Sequence, residues 1–161
     1  MPFKWSRNSG SSPAILITEV AYRALNEYER EEDLDLAIAI NETQLNENDC
    51  RQLLGELLDN AAKFSPAGTP IVVKIFSEDQ QEHIVVKDCG RGMTEQERKN
   101  IGALSQFQRD QHEQQGAGFG LAITQLITQI YGGTLNIQSK LDSGTSIHIT
   151  LPQKSTTNTV I

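Results

Sequence analysis

The stretch Asp49-Cys50-Arg51-Gln52-Leu53-Leu54-Gly55-Glu56-Leu57-Leu58-Asp59-Asn60-Ala61-Ala62-Lys63-Phe64-Ser65 carries two patterns at once. Leu53, Leu54, Leu57, Leu58, Ala61 and Phe64 recur at spacings of three and four, which is the apolar stripe of an amphipathic helix. Gln52, Glu56, Asn60 and Lys63 recur at four, four and three, so they form a second stripe, with the leucines beside and opposite it. The helix is expected to open at Asn48 or Asp49. The run Ser65-Pro66-Ala67-Gly68-Thr69-Pro70 turns the chain away from its end.

Upstream, Ser12 before Pro13 reads as a helix start, with a capping hydroxyl and a proline whose missing N–H costs nothing there. Leu16, Val20, Ala24 and Tyr28 follow at helical spacing. Leu34, Leu36, Ile38 and Ile40 then alternate with smaller or charged residues as a half-buried strand. Downstream, Ile71, Val73 and Ile75 begin a strand that Glu78-Asp79-Gln80-Gln81 connects to His83–Asp88. Thr94-Glu95-Gln96-Glu97 is a capping box for a short helix. A polar, glutamine-rich loop is expected from Gly102 to Gln115. A helix from about Gly118, with Ile123, Leu126, Ile127 and Ile130 on one face, stops at Gly132-Gly133. Strands Leu135–Lys140 and Thr145–Leu151 close the chain around Asp142-Ser143-Gly144. This order predicts an α+β fold, because the paired strands are joined by connections too short for parallel crossovers. The expected form is a two-layer α/β sandwich, with a mixed, mainly antiparallel sheet of about five strands and three main helices on one face. Residues 1–12 read as a flexible linker, 13–152 as the domain and 153–161 as a disordered tail.

Composition narrows the function. The 161 residues fit one domain. Fourteen Lys and Arg against 21 Asp and Glu give a net charge of −7, without the basic footprint that nucleic acid or an anionic membrane requires. Cys50 and Cys89 make neither a disulfide scaffold nor a zinc motif, and two free thiols fit a reducing compartment. Ala14-Ile15-Leu16-Ile17 is too short for a signal-peptide core or a membrane span. A cytoplasmic location without direct membrane contact is expected.

The chemistry concentrates in three places. On the polar stripe, a solvated face is the ordinary reading, but an asparagine between a glutamate and a lysine suits more. Its amide oxygen fits a Mg²⁺ whose other positions are filled by phosphates and waters. Lys63, one turn on, would meet phosphate oxygens, and Glu56, one turn back, could orient a group or accept a proton. Asp88 ends a strand and enters a turn that Gly90 and Gly92 allow. It either caps that turn or accepts a hydrogen bond from the exocyclic amine of adenine, an edge where guanine offers a repelling carbonyl. Gly116-Ala117-Gly118-Phe119-Gly120-Leu121 is either a flexible loop or an anion cradle at a helix start. It is neither a Walker loop nor a good dinucleotide fingerprint.

Five motifs occur in order: Glu56–Ser65, Asp88-Cys89-Gly90-Arg91-Gly92-Met93, Phe107-Gln108-Arg109, Gly116–Leu121 and Ser143-Gly144-Thr145. Together they resemble the catalytic ATP-binding domain of two-component sensor histidine kinases (the HATPase_c, Bergerat-type domain shared with gyrase-type ATPases), over residues 13–152. The resemblance implies Mg²⁺ and ATP as cofactors, with Asn60 as metal ligand, Glu56 acid/base-like and Lys63 on phosphate. It implies Asp88 as adenine reader, with Gly90, Gly92 and Met93 on the adenine side and Thr145 nearby. Gly116, Gly118 and Gly120, followed by Leu121, would form the phosphate side at the end of an ATP lid spanning 102–115, with Arg109 as its arginine.

Two positions depart from the family pattern. Phe119 stands where Leu is usual, and Leu104-Ser105-Gln106-Phe107 lacks the usual Phe-x-Pro-Phe. None of His83, His112 and His148 is followed by an acceptor pattern. The implied partners are therefore a histidine-bearing dimerisation domain, in cis or in trans, and a response regulator downstream, and the chain alone is expected not to autophosphorylate. The rivals are an anti-sigma-type serine kinase, a gyrase-like ATPase, and a nucleotide-sensing module without transfer.

Overall fold

A computed structural model of the chain describes residues 12–107 and 117–153, with backbone alone for 102–107, 117 and 118. Arg109, His112 and Gly116 lie outside the described residues, as do residues 1–11 and 154–161 of the termini read as linker and tail.

Among the described residues, four α-helices and five strands follow one another as α1 (Pro13–Asn26), a 3-10 turn (Glu31–Asp33), β1 (Leu34–Ala39), α2 (Glu47–Phe64), β2 (Ile71–Glu78), β3 (Gln81–Asp88), α3 (Glu95–Phe107), α4 (Ala117–Ile130), β4 (Thr134–Ser139) and β5 (Thr145–Pro152). The sheet order is β1-β2-β3-β5-β4. β1 pairs parallel with β2, and every other pairing is antiparallel. The expected mixed sheet in a two-layer sandwich is the one observed. The helices cover one face only, because every second strand residue (Ile71, Val73, Ile75; Ile84, Val86; Ile147, Ile149, Leu151) is buried and its neighbours are not. Leu53, Leu54, Leu57 and Leu58 of α2 are at most 1% exposed and form the centre of the core. Among the described residues, no helix is long and apolar enough to cross a membrane.

Local differences from the sequence reading have physical causes. The Ser12 hydroxyl makes no capping bond; its carbonyl takes the N–H groups of Ile15 and Leu16 instead. Helix α2 opens earlier than expected, because the Asn46 side chain accepts from Asp49 N–H at 2.8 Å and holds Asp49 Oδ2 with its own NH₂. The capping box forms in both directions: Thr94 N–H donates to Glu97 Oε2, and Glu97 N–H donates to Thr94 Oγ1. Helix α3 is not short, however. It continues through Phe107 and takes in 102–107 of the expected loop. The apolar face assigned to α4 is also only partly right: Ile127 is buried, but Leu126 and Ile130 are 49% and 70% exposed. The helix buries Leu121, Ala122, Thr124 and Thr128 instead. Each threonine hydroxyl is satisfied by the carbonyl four residues back, so its burial leaves nothing unpaired.

Candidate functional site

Helix α2 brings Glu56 and Asn60 to one end of a crevice. Asn60 Nδ2 is buried without a hydrogen-bond partner, one of two such side-chain atoms among the described residues, the other being Arg98 Nε. Burial pushes the Glu56 carboxyl above its usual range, and the nearby charge of Asp59 adds to this. Facing them is Gly120 in α4. A Cβ there would lie 2.5 Å from Glu56 Oε2 and 3.6 Å from Asn60 Nδ2, so any larger residue would displace the Glu56 carboxylate. Gly118 falls in the first turn of the same helix. Lys63 is exposed, its Nζ 5.6 Å from the centre of the Phe64 ring.

Asp88 occupies the other end, at the last position of β3, on the same face as Ile84 and Val86. Its Oδ1 accepts Gly90 N–H at 2.8 Å, so the turn-capping bond does form. Burial raises its carboxyl, opposed by the N–H groups of Gly90 and Thr145 and by the charge of Arg30. The turn that follows is anchored on both sides. Arg91 N–H donates to Phe64 O at 3.2 Å, and Asp142 N–H donates to Arg91 O at 2.7 Å. Gly92 adopts φ +65°, and a Cβ on it would fall 2.0 Å from Lys140 O. Ser139 Oγ accepts Met93 N–H and shares a second hydrogen bond with Thr145 Oγ1, both at 2.8 Å. The expected turn and the Ser143-Gly144-Thr145 hairpin are thus one hydrogen-bonded unit.

Between these ends the crevice is lined by Leu57, Asn60, Ala61, Phe64, Val86 and Asp88, with Arg91, Gly92, Met93, Leu121, Thr145 and Ile147 completing it. Six residues singled out in the sequence meet there: Asn60, Asp88, Gly92, Met93, Leu121 and Thr145. Glu56 and Gly120 adjoin Asn60, Gly90 packs beneath the Phe64 carbonyl, and Lys63 stands at the rim. Phe64 and Arg91 were not expected to line it. Phe64 reads as core at helical spacing, and Arg91 reads only as the residue between two glycines. Together they form a cation–π pair, with the guanidinium carbon 5.2 Å from the ring centre. A wider groove of about 300 Å³ between α1 and α2, lined by Val20, Arg23, Gly55 and Asp59 among others, holds none of the candidate site residues. The chemistry belongs to the narrower crevice.

Known proteins place this arrangement. Residues 45–155 match the family described as histidine kinase-, DNA gyrase B- and HSP90-like ATPases. The adaptive-response sensory kinase SasA of a Synechococcus strain is 34% identical over 120 residues, covering 73% of this chain and 32% of its own length. The circadian input-output histidine kinase CikA of a Synechocystis strain is 29% identical over 76% of this chain and 17% of its own. The chain therefore spans about a third or less of the curated relatives it matches. Among solved structures, the mycobacterial sensor histidine kinase MprB superposes with a TM-score of 0.62 at 30% identity, over 84% of this chain and 93% of that one. The Acinetobacter baumannii histidine kinase AdeS shares the fold at 19% identity and a TM-score of 0.64, over 86% and 64%. The chain belongs to the histidine kinase-, DNA gyrase B- and HSP90-like ATPase family, as an ATP-binding catalytic domain of the sensor histidine kinase kind.

Proposed function

We propose that this domain binds Mg²⁺-ATP in the crevice and delivers the γ-phosphoryl group to a histidine on a dimerisation and phosphoacceptor domain, in the cytoplasm, with a response regulator downstream. The observation that carries this reading is the buried, unpartnered Nδ2 of Asn60 at one end of a crevice that Asp88 closes at the other. Which edge of an amide faces a space is set by its hydrogen bonds. Nδ2 makes none, so it does not hold the amide in one orientation, and the Asn60 oxygen turned into the crevice is a donor that suits a hard cation. A bound Mg²⁺ supplies charge neutralisation for the phosphate oxygens. Asp88 accepts the exocyclic amine of adenine, while Met93, Leu121, Val86 and Ile147 give the base apolar walls and Thr145 borders its edge. Lys63 and Arg109 contact phosphate. Gly118 and Gly120 present backbone N–H groups where α4 begins, an end that favours anions. Glu56, its carboxyl raised by burial, orients the reacting groups beside Asn60 and accepts a proton.

Incubation with labelled ATP and a histidine-bearing helical domain tests the transfer. The expected product is acid-labile label on that domain and none on His83, His112 or His148 of this chain. Acid-stable label on a serine would replace the reading by a serine kinase, and nucleotide binding without transfer to any acceptor would leave a sensing module.

Base selection gives a second expected result. A hydrogen bond to a charged group is worth about 1.5–3 kcal/mol, so Asp88→Ala should weaken ATP binding roughly ten- to a hundredfold and shift the ATP-to-GTP ratio toward GTP. Asn60→Ala should weaken Mg²⁺-dependent triphosphate binding and leave that ratio unchanged. Calorimetric titration of the folded variants with both nucleotides separates the two roles. An unchanged ratio in Asp88→Ala would leave Asp88 as a turn cap only.

A further inference from the structure

His83 and His148 stand 65 residues apart in sequence and meet on the face of the sheet that, among the described residues, no helix covers. Register pairs His83 with Thr150 and Val85 with His148, so the two imidazoles are diagonal neighbours across β3 and β5. His83 Nδ1 lies 2.9 Å from His148 Nε2, with ring centres 5.1 Å apart and planes tilted by 39°. On its other side His83 stacks on Phe76 of β2, 4.9 Å between centres and 8° between planes. Both histidines are half-buried. The strands fix their backbones, and the phenylalanine holds one of the rings.

Two nitrogens bound to one ion at 2.0–2.1 Å and at right angles to each other stand about 2.9 Å apart. That is the separation found here, and right-angle coordination by imidazole is the habit of Cu²⁺ and Ni²⁺. Ligation by both nitrogens requires the proton they share to pass to the far nitrogen of its own ring and, with His83 held by Phe76, the His148 ring to turn until the two lone pairs converge. We infer that His83 and His148 form a surface site for a borderline divalent transition ion of the Cu²⁺ or Ni²⁺ class, as two adjacent imidazole ligands. Among the described residues no three His, Cys, Asp or Glu side chains converge, so water completes the coordination. The site is separate from the nucleotide crevice. Asp88 is five residues further along β3, roughly 17 Å at the rise of a strand, and points to the opposite face. Nor is it a second Mg²⁺ site, since that ion takes oxygen ligands. A bound ion would brace β3 against β5, the strands that carry Asp88 and Thr145.

The test uses the untagged full chain with CuSO₄ or NiCl₂. One Cu²⁺ per chain is expected, with two equatorial imidazole nitrogens in pulsed EPR, and the thermal midpoint should rise with Ni²⁺ concentration by linkage. His83→Gln and His148→Gln should each reduce the signature to one imidazole or none, weaken Ni²⁺ binding at least tenfold and abolish the Ni²⁺-dependent shift in midpoint. His112→Gln should leave all three readouts unchanged. If His83→Gln loses its fold together with the Phe76 stack, His148→Gln carries the test. A wild-type chain that takes neither ion would overturn the inference and leave the pair an ordinary cross-strand hydrogen bond. So would a two-imidazole signature, or Ni²⁺ binding weakened less than tenfold, in His148→Gln.

Discussion

Arg30→Met should cost the fold about 3 kcal/mol or more and weaken nucleotide binding with it. The Arg30 side chain is 4% exposed, and all its nitrogens are used. Nη1 donates to the carbonyls of Ala62 and Ser65 at 3.1 and 2.9 Å, Nη2 to Ser65 Oγ and Thr69 O at 3.2 and 3.1 Å, and Nε pairs with Asp33. The last carbonyls of a helix have no partner within it. Here one planar guanidinium supplies the missing donors at the end of α2, and its charge lies where the helix dipole is negative. Methionine fills similar space but leaves several buried acceptors unmet, at about 1–3 kcal/mol each, against a total stability of typically 5–15 kcal/mol. The effect reaches the crevice because the Phe64 carbonyl, inside the clamped segment, receives Arg91 N–H and so anchors the turn after Asp88. Lysine offers a point charge without the fork, so Arg30→Lys should recover only part of the loss. Urea unfolding of both variants, with ATP titration under conditions where each stays folded, checks this. A wild-type urea midpoint in Arg30→Met would refute the clamp.

What was legible in the sequence, and what was not, follows from the range of the interactions. The stripe Glu56, Asn60, Lys63 was readable because helical spacing alone places those side chains together. The capping box was readable because both its bonds close within four residues. Asp88, at the end of an alternating strand and before two glycines, carries its position in its neighbours. Arg30 does not. It sits in a run of charges that reads as the end of a helix, and apart from Asp33 its partners lie 32 to 39 residues away, most of them backbone carbonyls that leave no mark in the sequence. The same holds for the His83–His148 contact, fixed only by the register of β3 on β5. In α4 the signal misled because isoleucine and leucine look more buriable than threonine. A threonine that bonds the preceding turn carries no unmet polar group, and so competes for the inner face. Phe64 was hidden by ambiguity, since an apolar residue at helical spacing fits a core and a crevice wall equally well.

The second large effect lies in the core, at Glu82. This carboxyl faces inward from β3 beside Ile84 and is 2% exposed. Burial pushes its pKa up to about 7, against the opposing pull of the Thr43 hydroxyl at 3.0 Å and the Gln44 N–H. A carboxyl raised from 4.5 in the unfolded chain to about 7 in the fold binds its proton more tightly when folded. Its contribution to stability is therefore fully present below about pH 4.5, falls as pH rises toward 7 and is constant above. At 1.36 kcal/mol per unit, about 3 kcal/mol is lost across that window. Glutamine keeps an acceptor for Thr43 and Gln44 and has no proton to lose. Glu82→Gln should accordingly match the wild type near pH 4 and be more stable by up to about 3 kcal/mol at pH 8. Because Glu56, Asp88 and other carboxyls titrate in both proteins, the informative quantity is the difference between variant and wild type in urea unfolding from pH 4 to 8. A difference that opens between pH 4.5 and 7 assigns the loss to Glu82. One that is flat with pH would mean that the buried carboxyl keeps its ordinary affinity for the proton, so that Thr43 and Gln44 suffice to hold it ionised inside the core.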